Sequence, residues 1–279
     1  MSSRRDELHR HYQLERRLAD HLRRAAKAER RGLYAAVYAE IFREFPGPTG
    51  GSATARATRE HQAGLELRLL DPFLGPAVSM IEFGSGGGDL SVRAASRVRR
   101  VCAVDVVDRP APAGGIPANL TRLVSEGPPL PLADSSCDLA YSCHFVEHLH
   151  PEDLADHISD VHRLLVPGGR YICVTPNRLL GPHDVSKHFT RVATGLHLRE
   201  YTHRELARTF RRAAFTSVEV LRTVGGIPEA GVTRRYLRAE RLLGWIPRPV
   251  RLALLSDPRW FGRQEPFRRF EQVKIMATK

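Results

Sequence analysis

The sequence predicts an α/β fold: an open, seven-stranded, mostly parallel sheet with helices on both faces, a helical cap before it and an insertion before its last strand. Three observations carry this reading. From residue 78 onward short apolar runs alternate with helical segments, the rhythm of parallel strands joined by crossover helices. Before that, Leu14, Leu18 and Leu22, then Leu33, Val37 and Ile41, recur four apart, as on one face of a helix. Between them Pro46-Gly47-Pro48-Thr49-Gly50-Gly51-Ser52 punctuates the chain as a linker.

The N-terminal run, about 6–45, is expected to form two helices separated at Gly32. A third, about 56–71, ends before Pro72. These make a cap over residues 1–71, and 72–279 form the α/β domain. There the expected strands are Val78–Phe83, Arg100–Asp105, Thr121–Ser125, Asp138–Ser142 and Arg170–Thr175, with helices from Asp89 and from Glu152 to Leu165. Pro167-Gly168-Gly169 reads as a turn before the fifth strand. A helix over 202–213, with Thr202 and Glu205 as a capping box, leads to Ser217–Thr223, and Gln272–Thr278 closes the sheet. The segment 225–270, with Trp245, Trp260, Phe261, Phe267 and Phe270 among arginines, interrupts the final hairpin. It reads as a helical cap on the sheet edge or as a lid.

Composition bounds the class. With 42% hydrophobic and 27% charged residues the chain can bury a substantial core. No apolar run approaches the length of about 20 residues that spans a bilayer, and MSSRRDELHRH lacks the apolar stretch of a secretory signal, so a cytoplasmic location and no membrane contact are expected. Cys102, Cys137, Cys143 and Cys173 form no CxxC pair and read as reduced thiols. The net charge of +12 suggests an anionic partner, but it resides in residues 1–45 and 222–279; the stretch between them is balanced. Nucleic acid is therefore not the favoured partner, a small molecule is, and self-association stays open.

The strongest local signal is Ile81-Glu82-Phe83-Gly84-Ser85-Gly86-Gly87-Gly88-Asp89-Leu90, which ends a strand and opens a helix, as a nucleotide-type site requires. Glycines let the backbone turn sharply and approach a ligand. Asp105 ends the next strand, where a carboxylate can accept both hydrogen bonds of a ribose diol.

This segment resembles motif I, (D/E)xGxGxG, of the class I S-adenosylmethionine (SAM)-dependent methyltransferases, specifically the Methyltransferase type 11 group. Glu82 matches its acid, and Gly84, Gly86 and Gly88 its glycines. An acid there suits a zwitterionic sulfonium better than a pyrophosphate. Ser125-Glu126-Gly127-Pro128-Pro129-Leu130-Pro131-Leu132 resembles the adenine-binding GDAxxLPF stretch, with Glu126 in place of Asp. Asp134–Ser142 and Leu164–Arg170 resemble the family's "DxSFDLVxS" and "LLKPGG" segments. The resemblance implies a Rossmann-like domain and cofactor contacts from Glu82, Gly84, Ser85, Gly86, Gly88, Asp105, Val106, Glu126, Gly127, Ser142 and Cys143.

Ligands in such sheets bind beyond the carboxyl ends of the strands. His144, Glu147 and His148 follow the fourth strand at i, i+3 and i+4, one helical face. His183, His188 and His197 follow the fifth. His144, His148 and His197 are the candidate catalytic groups; Glu147, Asn177, His183, His188 and Tyr201 are candidate acceptor contacts. The pattern is similar to metal-assisted O-methyltransferases of quinone pathways and of small-RNA 2′-oxygens. That likeness implies His144, Glu147, His148 and His197 as ligands if a divalent metal is used, although His144 replaces their Glu; no metal is favoured, and a histidine general base serves as well. The expected activity is methyl transfer from SAM to a small-molecule oxygen of a natural-product or sugar-type biosynthetic intermediate. The alternatives are an RNA or protein methyltransferase using the Arg-rich ends, and a non-catalytic subunit of this fold.

Overall fold

The computed structural model describes residues 4–45, 53–110, 114–224, 227–229, 233–256 and 272–279. Three helices open the chain: α1 (Arg4–Arg24), α2 (Lys27–Glu44) and α3 (Ala53–Leu70). The first break falls at Ala26, not at Gly32. Ala26 is extended, and the Glu29 carboxylate turns back to accept its N–H at 2.9 Å. Gly32 continues inside α2; a helical glycine costs only about 1 kcal/mol relative to alanine and does not by itself end a helix.

The α/β part follows with β1 (Ser79–Phe83), α4 (Asp89–Ala95), β2 (Arg100–Asp105), β3 (Leu120–Val124), β4 (Cys137–Cys143), α5 (Pro151–Leu164), β5 (Leu165–Pro176), α6 (His203–Arg212), β6 (Ser217–Val220), β7 (Arg222–Val224), β8 (Ile227–Glu229), α7 (Thr233–Trp245), α8 (Arg248–Ser256) and β9 (Gln272–Thr278). Seven strands form one sheet in the order β3-β2-β1-β4-β5-β9-β6. β1 pairs in parallel with both β2 and β4, and only β9 runs antiparallel, between β5 and β6. The order reverses between β1 and β4, the switch point where such sheets open a crevice.

Both faces of the sheet are covered, as the near-continuous apolar strands require. On one face Ile81, Tyr171, Cys173 and Ile275 pack with Leu154, Ile158 and Val161 of α5 and Phe210 of α6. On the other, Met80, Val101, Tyr141 and Ile172 pack with Ala63 and Leu70 of α3 and Leu90 of α4. Neighbouring residues of one strand thus point to opposite layers, the period of two that pleating imposes.

Two expected boundaries move. The Pro167-Gly168-Gly169 turn lies inside β5: Gly168 has φ +79°, its N–H donates to the Lys279 carbonyl at 3.1 Å, and Lys279 N–H donates to the Gly169 carbonyl at 3.0 Å. Pairing with the final strand thus extends across the kink. The run 217–223 splits after Val220, and β7 pairs with β8 in a separate ribbon. In the insertion, Glu240 of α7 is buried and accepts from His203 N–H (2.9 Å), Arg204 N–H (3.0 Å) and His203 Nδ1 (2.8 Å). It occupies the start of α6, where free amides and the helix dipole favour a carboxylate. Trp260, Phe261, Phe267 and Phe270 lie outside the described residues. Among the described residues no helix is long and apolar enough to cross a membrane.

Candidate active site

The loop after β1 is shaped by its own backbone. Gly84 and Ser85 N–H donate to the Val104 carbonyl at 2.9 and 3.1 Å, and Gly88 N–H donates to Ser85 O at 2.8 Å. Gly84 sits at φ +70°, and a Cβ there would approach Phe145 Cδ2 to 2.8 Å, so this position needs glycine on both counts. Gly86 (φ +57°) faces open space. Gly84 and Gly86 line a cavity of about 540 Å³, whereas Ser85 and Gly88 shape the turn from behind. Glu82 also stands behind the loop. It is 6% exposed and accepts the Ser91 hydroxyl, and burial pushes its pKa up to about 8.

Asp105, at the end of β2, accepts Gly86 N–H at 2.7 Å and Val107 N–H at 3.1 Å and also faces the cavity. One carboxylate thereby fixes the glycine loop and remains beside the space a ribose would fill. Val106, Glu126 and Gly127 line the adjoining part. Gly86 and Gly127, with open space in front of them, and the carboxylates of Asp105 and Glu126 on the same cavity wall are compatible with SAM.

The histidine cluster differs from its expected form. Residues 146–148 make a single 3-10 turn, and His144 has left-handed φ +51°, so the three groups do not share an α-helical face. The turn nevertheless buries Glu147 completely, beneath the cavity floor, where its Oε2 accepts the Thr175 hydroxyl at 2.8 Å and Oε1 lies 3.2 Å from His144 Nδ1. Burial alone would raise the Glu147 pKa; the surrounding imidazoles bring it down to about 2. His148 Nδ1 is 3.0 Å from the Leu196 carbonyl, and His197 Nδ1 is 2.8 Å from Glu200 Oε1. Each contact calls for an Nδ1–H donor, which leaves Nε2 of both rings facing inward. Ligand atoms of Glu147, His148 and His197 lie within 4.8 Å of one another. His144 is outside that group; its Nε2 is 3.3 Å from Gln272. Burial lowers the His148 pKa. Burial also opposes charge on His197, but Glu200 raises its pKa on balance.

His183 supports this cluster from behind: its N–H donates to Glu200 at 2.7 Å, and its Nδ1 is 3.3 Å from the same carboxylate. A Cβ at Gly181 would collide with Glu200. The structure does not bring the remaining candidates to the cavity. Asn177 is fully buried against Glu240, His188 is exposed, and Tyr201 belongs to the apolar core. Ser142 turns away to Tyr171 Oη at 2.8 Å. Cys143 is not among the lining residues either.

The roof of the cavity is not foreseen from the sequence. Tyr38, Ile41, Phe42 and Phe45 of the cap region, with His11 and Glu15 of α1, line it. The cap is clasped onto α5: Arg30, 2% exposed, donates to Asp153 (2.8 and 2.9 Å) and Glu152 (2.6 Å), Tyr34 donates to Asp153 (2.8 Å), and Lys27 pairs with Asp156. It also holds the His197 loop. Glu15 accepts Leu196 N–H at 3.1 Å, and Arg23 donates to the Gly195 and His197 carbonyls at 3.1 and 3.2 Å. The four-residue spacing in α2 is the one available signal, but it cannot separate a core-facing stripe from a ligand-facing one.

A Rossmann-like sheet with its glycine loop and carboxylates at the switch point defines a nucleoside-cofactor enzyme of the methyltransferase type. Residues 81–173 match the family model described as "Methyltransferase domain", and the chain carries a class I SAM-dependent methyltransferase domain with SAM as its cofactor. The fold is shared with the Burkholderia thailandensis 1,6-didemethyltoxoflavin-N1-methyltransferase: TM-score 0.55, 18% identity, 91% of each chain covered. It is also shared with an S-adenosylmethionine-dependent methyltransferase from Mesorhizobium loti: TM-score 0.51, 18% identity, 84% of this chain and 100% of that one. No curated protein matches the chain in sequence.

Proposed function

We propose that the protein transfers a methyl group from SAM to an oxygen of a small biosynthetic intermediate bound under the helical cap. The supporting observation is that His148 and His197 line the cavity that the cofactor loop also lines, with Glu147 buried just behind them and its carboxylate within 4.8 Å of their ligand atoms. The cofactor supplies an electrophilic methyl on a sulfonium. The chain's part is to align an acceptor oxygen with it and take the oxygen's proton. His148 is suited to removing that proton, since burial keeps the ring neutral, Leu196 fixes its tautomer, and Nε2 carries the free lone pair. His197, oriented by Glu200 and favoured in its protonated form by that carboxylate against the cost of burial, can steady the developing oxyanion through Nε2–H. The aromatic side chains of the roof, Tyr38, Phe42 and Phe45, would limit water at the transfer.

A second reading is favoured by the same constellation. Two imidazoles with anchored Nδ1 atoms and one buried carboxylate are a donor set for a divalent cation of the Zn, Mn or Fe kind. Such an ion would be held by Glu147, His148 and His197 and would polarise an acceptor hydroxyl. Elemental analysis of purified protein separates the readings: about one bound ion per chain, lost in His197→Ala, supports the metal, and its absence together with chelator-insensitive turnover supports the base. The activity itself is tested with methyl-labelled SAM and a panel of hydroxylated and amino-bearing small molecules. Label transferred to an oxygen is the expected result; label found only on nitrogen, on RNA or on protein contradicts the reading.

A further inference from the structure

Arg109 is a charged group of the cavity that belongs neither to the cofactor carboxylates nor to the histidine cluster. It lies four residues after Asp105 and lines the cavity. Its guanidinium carbon sits 3.7 Å from the centroid of the Phe42 ring, so the cap packs against it. Its Nε is buried and, among the described residues, has no hydrogen-bond partner. A buried guanidinium donor without an acceptor is costly, and arginine presents a fork that matches a carboxylate or phosphate. Asp105 attracts the guanidinium through charge, but its hydrogen bonds among the described residues go to Gly86 and Val107 N–H. The other cation nearby, Arg59, pairs with Asp89 at 3.4 Å. Tyr38, also on the cavity wall, has its buried hydroxyl without a partner among the described residues, and its ring meets His148 edge-on at 5.8 Å. Two unmatched polar groups therefore belong to the wall of one cavity, and Tyr38 links that wall to the histidine cluster.

We infer that Arg109, packed over Phe42 and accompanied by Tyr38, is a carboxylate-binding group of the active-site cavity. The inference rests on the methyltransferase reading of the site. Two molecules can bring a carboxylate there: the methionine end of the cofactor, or an acidic acceptor. Burial lowers the Arg109 pKa, and an anion would offset that penalty.

Calorimetry on the full chain distinguishes the sources. S-adenosylhomocysteine carries the methionine carboxylate; 5′-methylthioadenosine lacks it. If Arg109 holds the cofactor, Arg109→Gln weakens S-adenosylhomocysteine about ten- to hundredfold and leaves 5′-methylthioadenosine within about twofold. If it holds the acceptor, both nucleosides bind R109Q as they bind the parent. In that case the parent saturated with S-adenosylhomocysteine binds benzoate at least about tenfold tighter than phenol, and R109Q loses the preference. Arg109→Lys keeps charge without the fork and should recover only part of either effect. An unchanged melting temperature shows that R109Q is folded. R109Q behaving like the parent in both arms, or a parent that shows no preference for either carboxylate-bearing probe, overturns the inference. Failure of the methyltransferase reading looks different: the parent then binds neither nucleoside, and the inference falls with it.

Discussion

The two halves of the cavity are assembled by different rules. The cofactor half comes from consecutive turns of one region, the ends of β1, β2 and β3, and is held largely by backbone: Gly84 and Ser85 on the Val104 carbonyl, Gly86 on Asp105. The half proposed for the acceptor is assembled from distant side chains. Glu15 and Arg23 of α1 hold a loop some 170 to 180 residues downstream, and that loop in turn orients His148 and His197. The first half is tied together by short-range bonds, two to the Val104 carbonyl and one to the Asp105 side chain. The second is only as ordered as the docking of α1 and α2.

The seam between cap and α5 is where this contrast is most exposed to test. Arg30→Ala removes one side of the buried Arg30–Asp153 pair and leaves Asp153 short of its partner. Stability is expected to fall by about 3 kcal/mol, read as a lower urea midpoint. If the halves are independent, S-adenosylhomocysteine affinity in native buffer changes far less than that. A loss of cofactor affinity as large as the loss of stability would show that the cap is part of the cofactor site.

Asp105→Ala probes the other half. It strips acceptors from two amides and from the expected ribose position, and S-adenosylhomocysteine affinity should drop about a hundredfold, measured by calorimetry. His148→Ala should leave that affinity within a few-fold while abolishing transfer. Arg23→Ala is expected to act more mildly, about tenfold on turnover with cofactor affinity retained, because it loosens the 194–197 backbone without touching a ligand. An Arg23→Ala protein with parental turnover would deny the cap its positioning role.

The smallest effect concerns the insertion. Burial opposes charge on Glu240, but its bonds to His203 and Arg204 lower its pKa below the usual 4.5. A depressed carboxylate contributes stability that is fully present above about pH 4.5 and is lost as pH falls through the lower folded-state value. Glu240→Gln should therefore lower the melting temperature at pH 7 and flatten its decline below about pH 4.5. An unchanged acid profile would mean that Glu240 does not titrate as the structure implies.

The difference between the halves also explains what is legible in the sequence. The succession of strands and helices along the chain, the glycine loop, Asp105 and Glu126 are local: a strand end, a turn and an acid lie within a few residues, and their spacing carries the geometry. The capping box at Thr202 and Glu205 is legible for the same reason and is present, with Glu205 N–H donating to Thr202 Oγ1 at 3.2 Å. The helical break escapes the sequence because Glu29 caps Ala26 more effectively than Gly32 interrupts the ladder. Asn177, His188 and Tyr201 lie in the expected loops but face an adjoining carboxylate, open surface or the core, and sequence distance from a strand end does not set side-chain direction. The aromatic roof is invisible as a site because a stripe at helical spacing looks the same over a core as over a ligand.

The cofactor half is tested most directly by isothermal titration of the purified chain with S-adenosylhomocysteine and, separately, with NAD. One S-adenosylhomocysteine site per chain is predicted, abolished or severely weakened by Asp105→Ala, and no NAD binding. Binding of NAD without S-adenosylhomocysteine would contradict the assignment of this cavity to SAM.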